Sequence, residues 1–151
     1  IATNLENKNI VRMIPNATSV INQGYNPVCF APDCADKQSV MQLLSALGKI
    51  FETDESKLEA YAIVSAMLPT YFWFQWFELV EISKQIGLSE AEARETVEQT
   101  LLASVATAFQ SGLSFSEIFD LIPVKPIGED EERIKEIFQT KLLGLYGKIK
   151  P

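Results

Sequence analysis

The chain has 151 residues, 47% of them hydrophobic, which is enough to build a proper core and argues against disorder. Its 20 acidic and 13 basic residues give a net charge of −7, so it would repel a phosphate backbone, and nucleic acid is excluded as a partner. There is no histidine, which removes Ser-His-Asp and Cys-His nucleophilic mechanisms and most zinc sites; no metal site and no catalytic residue is assigned.

The opening "IATNLENKNI" lacks the charged start and apolar core of a signal peptide, and the "NAT" sequon at 16–18 carries no weight without one. A cytoplasmic protein is expected, with Cys29 and Cys34 as two reduced, half-buried thiols. Two short apolar runs, "NIVRMI" (9–14) and "PVCFA" (27–31), are bounded by Pro, Asn and Gly and predict strands, with a loop between them. Val40, Leu43, Leu44 and Leu47 recur at three- and four-residue steps and predict a helix over 36–47 that stops at Gly48. "KIFET" (49–53) fits a third strand. Residues 1–54 therefore form a mixed α/β fragment rather than a complete domain.

From residue 55 onward the pattern is helical throughout. A first helix breaks at Leu68, because Pro69 suits the first turn of a new helix better than the interior of an old one. The next runs to Gly87. Ser89 with Glu92 forms a capping box for a helix over 90–111, and Ser114 with Glu117 repeats the signature for a short one. "IPVKPIG" (122–128) is not helical, and a last helix over 129–148 begins with "EDEE" at the positive end of its dipole. The fold class is mainly α (α+β).

Between Tyr71 and Phe77 six of seven residues are aromatic. On a helix turning 100° per residue these rings cover nearly the whole circumference, so the helix must be surrounded. Leaving several wet would cost on the order of 10 kcal/mol. A bilayer is the first candidate cover, since residues 60–77 carry no formal charge. Pro69, acidic flanks and the amphipathic turns that follow argue against it. The chain's own core is a second, but so thin a bundle buries one side of a helix more easily than every side. An aromatic box for a planar cofactor is a third, though such stripes are usually packing. A second copy of the chain surrounds the segment on all sides, and a homodimer through the helical domain is the expectation.

"NIVRMIPNATSVINQGYNPVCFAP" resembles the part of pyrroline-5-carboxylate reductases where a strand ends in an Arg-x-Met-Pro-Asn motif. "LLSALGKIFETDESKLEAYAIVSAMLPTYFWFQWFELVEISKQIGLSEAEARETVEQTLLASVATAF" then follows the order of that family's helices, including a Ser-Gly-Ser-Gly-Pro-Ala-Tyr turn. The resemblance covers nearly the whole chain. It implies an NAD(P)-dependent reductase that reduces an imine in a small-molecule substrate, with its Gly-rich dinucleotide fingerprint outside Ile1–Pro151. Residues 1–54 would be the end of a Rossmann-like dinucleotide-binding domain. Residues 55–151 would be a helical dimerisation domain similar to the C-terminal domain of 6-phosphogluconate dehydrogenase.

Carried over by position, the resemblance makes Arg12, Pro15, Asn16 and Pro69 cofactor-binding residues, with Ile14 at the motif's methionine. Ser65, Pro69 and Tyr71 match the second turn, Ser65 as a substrate-binding residue. Ala66, Met67 and Leu68 stand where the family has Gly, Ser and Gly, and their side chains occupy space a ligand would use. Downstream, "IPVKPIGEDEERI" replaces a Ser-Ser-Pro-Gly-Gly-x-Thr loop, leaving Lys125 to attract a substrate carboxylate as a point charge. The expectation is a relative with a different substrate; the alternative is a non-catalytic helical homodimerisation module.

Overall fold

A computed structural model describes residues 9–150. The opening residues read for a leader peptide lie outside that range. The chain forms two compact units: one extends through Tyr71 and resumes at Gln139, and the other is Phe72–Phe138.

Three strands lie side by side in the first unit. They are β1 (Val11–Met13), β2 (Gly24–Phe30) and β3 (Gly48–Glu52), in the order β1-β2-β3. β1 runs antiparallel to β2, and β3 runs parallel to it. Helix α1 (Lys37–Leu44) makes the crossover that a parallel pair requires. Asp36 caps it by accepting the Ser39 amide, and a 3-10 turn, Ser45–Leu47, tightens its end as expected at Gly48.

The central strand begins at Gly24, three residues before the sequence-based start, because Gly24, Tyr25 and Asn26 pair with Gly48, Lys49 and Ile50. Gly48 has φ +119°, and a Cβ there would sit 2.3 Å from the Gly24 nitrogen. Two glycines thus let β2 and β3 start with their backbones in close approach. Pro27 is tolerated in this strand because β1 ends at Met13, opposite Val28. Beyond it only the Ile14 amide reaches across, donating to the Pro27 carbonyl at 3.1 Å. The predicted loop over 15–26 also contains a 3-10 turn, Ala17–Ile21, capped by Asn16.

A 3-10 turn (Glu55–Lys57) leads into α2 (Leu58–Tyr61) and then a π-helical turn, Ala62–Ala66. The wider turn is closed by the Met67 amide donating to the Ala62 carbonyl. Leu68 then begins α3 (Leu68–Gln85), which puts Pro69 in the first turn, as expected. The terminal helix over 129–148 resolves into α6 (Glu131–Phe138), a second π turn (Gln139–Leu143) and α7 (Gly144–Ile149). Here the naming of segments is set by backbone spacing that composition does not encode.

The second unit packs most of α3 with α4 (Glu90–Gln110), α5 (Phe115–Asp120) and α6. Both capping boxes are formed, Ser89 with Glu92 and Ser114 with Glu117. Within this unit Phe72 stacks on Trp76 at 6.2 Å and meets Phe138 at 6.0 Å. Outer rings of the same helix stay open, with Phe74 68% and Phe77 61% exposed. Among the described residues no helix is long and apolar enough to cross a membrane.

Gly48→Ala should cost at least ~2 kcal/mol, since it combines a positive-φ backbone with a clash against the Gly24 main chain. Chemical denaturation of the variant measures this; unchanged stability would mean the two strand starts are not in close approach.

Candidate functional site

β1 ends at Met13, and the chain turns through Ile14 and Pro15 to bury Asn16. The Asn16 amide donates to Asn26 Oδ1 at 2.7 Å. Its side-chain Nδ2 donates to the Ser65 carbonyl at 2.8 Å and lies 3.2 Å from Ser65 Oγ. Ser65 Oγ in turn donates to the Tyr25 carbonyl at 2.8 Å. Asn16 Oδ1 accepts the Thr18 amide at 2.9 Å, and Asn26 Nδ2 donates to Ser19 Oγ at 3.1 Å. Asn26 is wholly buried, yet no buried side-chain polar atom among the described residues lacks a partner.

Ser65 belongs to the π turn, whose spacing exposes carbonyls that an α-helix would use internally. Asn16 takes that of Ser65, and the Tyr71 hydroxyl takes that of Ile63 at 2.8 Å. Burial pushes the Tyr71 phenol up, so it remains a donor.

Above this network lies a hollow of about 290 Å³ lined by Asn16, Thr18, Tyr25, Tyr61, Val64, Ser65, Leu68 and Pro69. Asn16 from one end of the sequence pattern thus meets Ser65 and Pro69 from another. Phe51 carries the wall, packing on Tyr25 at 4.5 Å and on Tyr61 at 5.3 Å. With its floor amides and hydroxyls already engaged, the hollow offers ring faces and aliphatic surface more than free hydrogen-bonding groups.

Other expected site residues are not among those that line the hollow. Pro15 is exposed beside Asn16. Arg12 is held by acidic partners: Nη2 meets Glu59 Oε1 at 2.5 Å and Nη1 meets Glu55 Oε1 at 3.5 Å. The hydrogen bond to Glu59 raises the guanidinium pKa, and the same bond from Arg12 holds the Glu59 carboxyl below its ordinary value. Lys125 belongs to the second unit, exposed, with its ammonium 4.9 Å from the centre of the Phe119 ring. Cys29 and Cys34 are free and half-buried, and burial pushes the Cys29 thiol up.

Tyr25, Asn26, Thr18 and Tyr61 were not singled out from sequence. For Tyr61 the signal existed: Tyr61, Val64, Ser65 and Leu68 fall at helical spacing and all line the hollow. Asn26 gave none, because Asn before Pro reads as a loop.

In the second unit an open groove of about 890 Å³ lies between α3 and α4. Trp73, Trp76, Phe77 and Val80 form one wall, and α4 side chains from Arg94 to Gln110 form the other.

Together the two units define a mainly α protein with a partial Rossmann-type sheet. No family model matches the chain. Among curated proteins it is 29% identical over 132 residues to pyrroline-5-carboxylate reductase of Pseudomonas aeruginosa, covering 83% of this chain and 47% of that one. With the Corynebacterium melassecola enzyme of the same name it shares 24% over 139 residues, 91% of this chain and 51% of the relative. The chain spans about half the length of these relatives. A Plasmodium falciparum pyrroline carboxylate reductase solved with NADP bound superposes with TM-score 0.71 at 23% identity, over 92% of this chain and 57% of that one. A pyrroline-5-carboxylate reductase of Coxiella burnetii gives 0.57 at 26%, over 92% and 52%. The chain resembles pyrroline-5-carboxylate reductases in sequence and in fold.

Because the folded-state pKa of Glu59 is depressed, its pairing with Arg12 stabilises the fold above the carboxyl's ordinary value of 4.5 and is lost as pH falls through the depressed one. Glu59→Gln should therefore be less stable than the parent at pH 7, with the gap closing below about pH 4.5. Denaturation at several pH values tests this, and a gap independent of pH would contradict the pairing.

Proposed function

We propose that the chain contributes to an NAD(P)-dependent reductase that reduces a carbon–nitrogen double bond in a small cyclic substrate. The observation that supports this best is the hollow, where Asn16 of the strand-end motif stands beside Ser65 and Pro69 of the second motif. Its size and its two tyrosine rings fit the nicotinamide end of the cofactor, and not a whole dinucleotide. In this reading residues 1–54 complete a dinucleotide-binding domain, and residues 55–151 form the helical dimerisation domain.

When bound, the nicotinamide supplies a hydride. Pro69 and Asn16 set the surface the ring rests on, and Pro15 and Arg12 fix the strand end from which Asn16 enters. Ser65, held by Asn16 and Tyr25, orients the substrate edge of the hollow. Leu68, Tyr25 and Tyr61 exclude water from it. Leu68, in place of glycine, and the altered loop at 122–128 suit a substrate other than pyrroline-5-carboxylate. The protein would act as a cytoplasmic homodimer, its open aromatic groove covered by a second copy.

The same exposed groove, with the motif's two glycine positions filled by Ala66 and Leu68 and its serine position by Met67, also suits the second reading, a non-catalytic dimerisation module. Nucleotide oxidation followed at 340 nm separates the two in the product of the complete reading frame. With a panel of five- and six-membered cyclic imine carboxylates we expect turnover of at least one, and pyrroline-5-carboxylate reduced at least tenfold more slowly. No oxidation of NADPH or NADH with any of them would favour the dimerisation module, and a preference for pyrroline-5-carboxylate would overturn the altered-substrate reading.

A further inference from the structure

On one face of the sheet a row of side chains runs between two cations. Tyr25 pairs with Lys49 and Pro27 with Phe51, so these four share a face, and Cys29 continues it to its own partner, Arg12. Helix α2 meets the same face: Glu59 bonds Arg12, and Tyr61 packs on Phe51 with ring centres 5.3 Å apart. Phe51 in turn packs on Tyr25 at 4.5 Å, and the Lys49 ammonium stands 5.4 Å from the centre of the Tyr25 ring.

The two cations differ in what holds them. Arg12 is neutralised by carboxylates, Glu59 at 2.5 Å and Glu55 at 3.5 Å. Lys57, one helical turn before Tyr61, is likewise paired, with Asp54 at 3.0 Å. Lys49 has no carboxylate partner among the described residues. The Tyr25 ring attracts its ammonium without neutralising it, and leaves N–H donors available.

Tyr25 connects this cation to the hollow, whose wall it forms while remaining 43% exposed. At about 290 Å³ the hollow lies at the lower end of the ~300–1,000 Å³ range of ligand cavities. Its lining is ring and aliphatic surface, and the polar groups of Asn16 and Ser65 are already bonded to one another. A charge buried inside would therefore lack a partner. A small ring fits, and a charged substituent on that ring has to lie at the mouth.

We infer that Lys49 is the anion-recognising residue of the hollow, and that it selects a small ring bearing a carboxylate, with the ring beside Tyr25 and the carboxylate on the Lys49 ammonium. The inference rests on the reductase reading above and names a specificity-determining residue for its substrate. Lysine suits the task because a compact charge on a flexible stem can leave the ring face and follow the carboxylate in. The rival anion is a phosphate of the cofactor. A dinucleotide phosphate is separated from its nicotinamide by a ribose, whereas Lys49 sits against the wall of the hollow itself, which favours a charge attached directly to the bound ring.

The test uses the product of the complete reading frame and begins with unreactive ligands. In saturation-transfer NMR titrations, cyclopentanecarboxylate should bind at least tenfold more tightly than cyclopentanecarboxamide. Lys49→Met should abolish that preference by weakening the carboxylate alone, and Lys49→Arg should keep the carboxylate affinity to within about threefold. Lys49 is exposed, so both variants should fold as the parent does, which circular dichroism checks. With 1-piperideine-2-carboxylate and NADPH followed at 340 nm, Lys49→Met should raise KM for the imine at least tenfold and leave kcat and KM for NADPH unchanged. A parent that binds neither ring, or both equally, overturns the assignment, as does a Lys49→Met variant that keeps the preference. A rise in KM for NADPH in place of the imine gives the ammonium to a cofactor phosphate and overturns it too. A preference that Lys49→Met abolishes, in a protein that turns over no imine, upholds Lys49 and overturns the reductase reading alone.

Discussion

A single buried carboxamide joins the parts of this protein that matter for its proposed chemistry. Asn16 gives its side-chain N–H groups to Ser65 and its main-chain N–H to Asn26, and takes the Thr18 amide on its oxygen. Forty-nine residues of sequence separate Asn16 from Ser65, so no local preference brings them together. What does is the cost of the alternative: a buried amide or carbonyl left without its partner forfeits about 1–3 kcal/mol. The network therefore permits one arrangement of the strand end, the turn after it and the π segment. The hollow is the space this arrangement leaves between Tyr25, Tyr61 and Pro69.

The helical unit is built on a different principle. Val80 and Ala93 are its buried hydrophobic residues among those described, whereas Trp73, Phe74, Phe77, Leu102, Val105, Phe109 and Phe115 are exposed. Apolar surface of that extent is what the proposed second copy would cover. Two of its helices, α4 and α5, are fixed locally at their starts by closed Ser–Glu capping boxes. Helix ends that are set by their own side chains can hold an open face ready without first burying it.

Much of this was legible from residue order. Ser89 with Glu92, Ser114 with Glu117, Pro69 in a first turn and Gly48 after a helix are local rules, and each held because the groups involved lie within a few residues of one another. The six aromatics of seven lie on a helix, as read, and Trp73, Phe74 and Phe77 among them are exposed within one chain. The start of β2 was not legible: Gly24 and Asn26 read as loop residues, and their strand role comes from Gly48 and Ile50, which lie elsewhere in the chain. The π turns were equally hidden, since a five-residue hydrogen-bond spacing has no compositional signature. Sequence named Asn16 and Ser65 by resemblance, and the structure supplies the bond between them. Arg12 was named on the same ground, and its engagement with Glu59 was invisible because the partner lies on another element.

Native-state hydrogen exchange at the Asn16 amide is the most direct measurement of the central claim. That proton points at Asn26 Oδ1 inside the network, so it should exchange only when the first unit opens as a whole, as slowly as the amides of β2. Exchange at the rate of an exposed loop amide would show that the strand end is not anchored, and the hollow assembled on it would lose its physical basis.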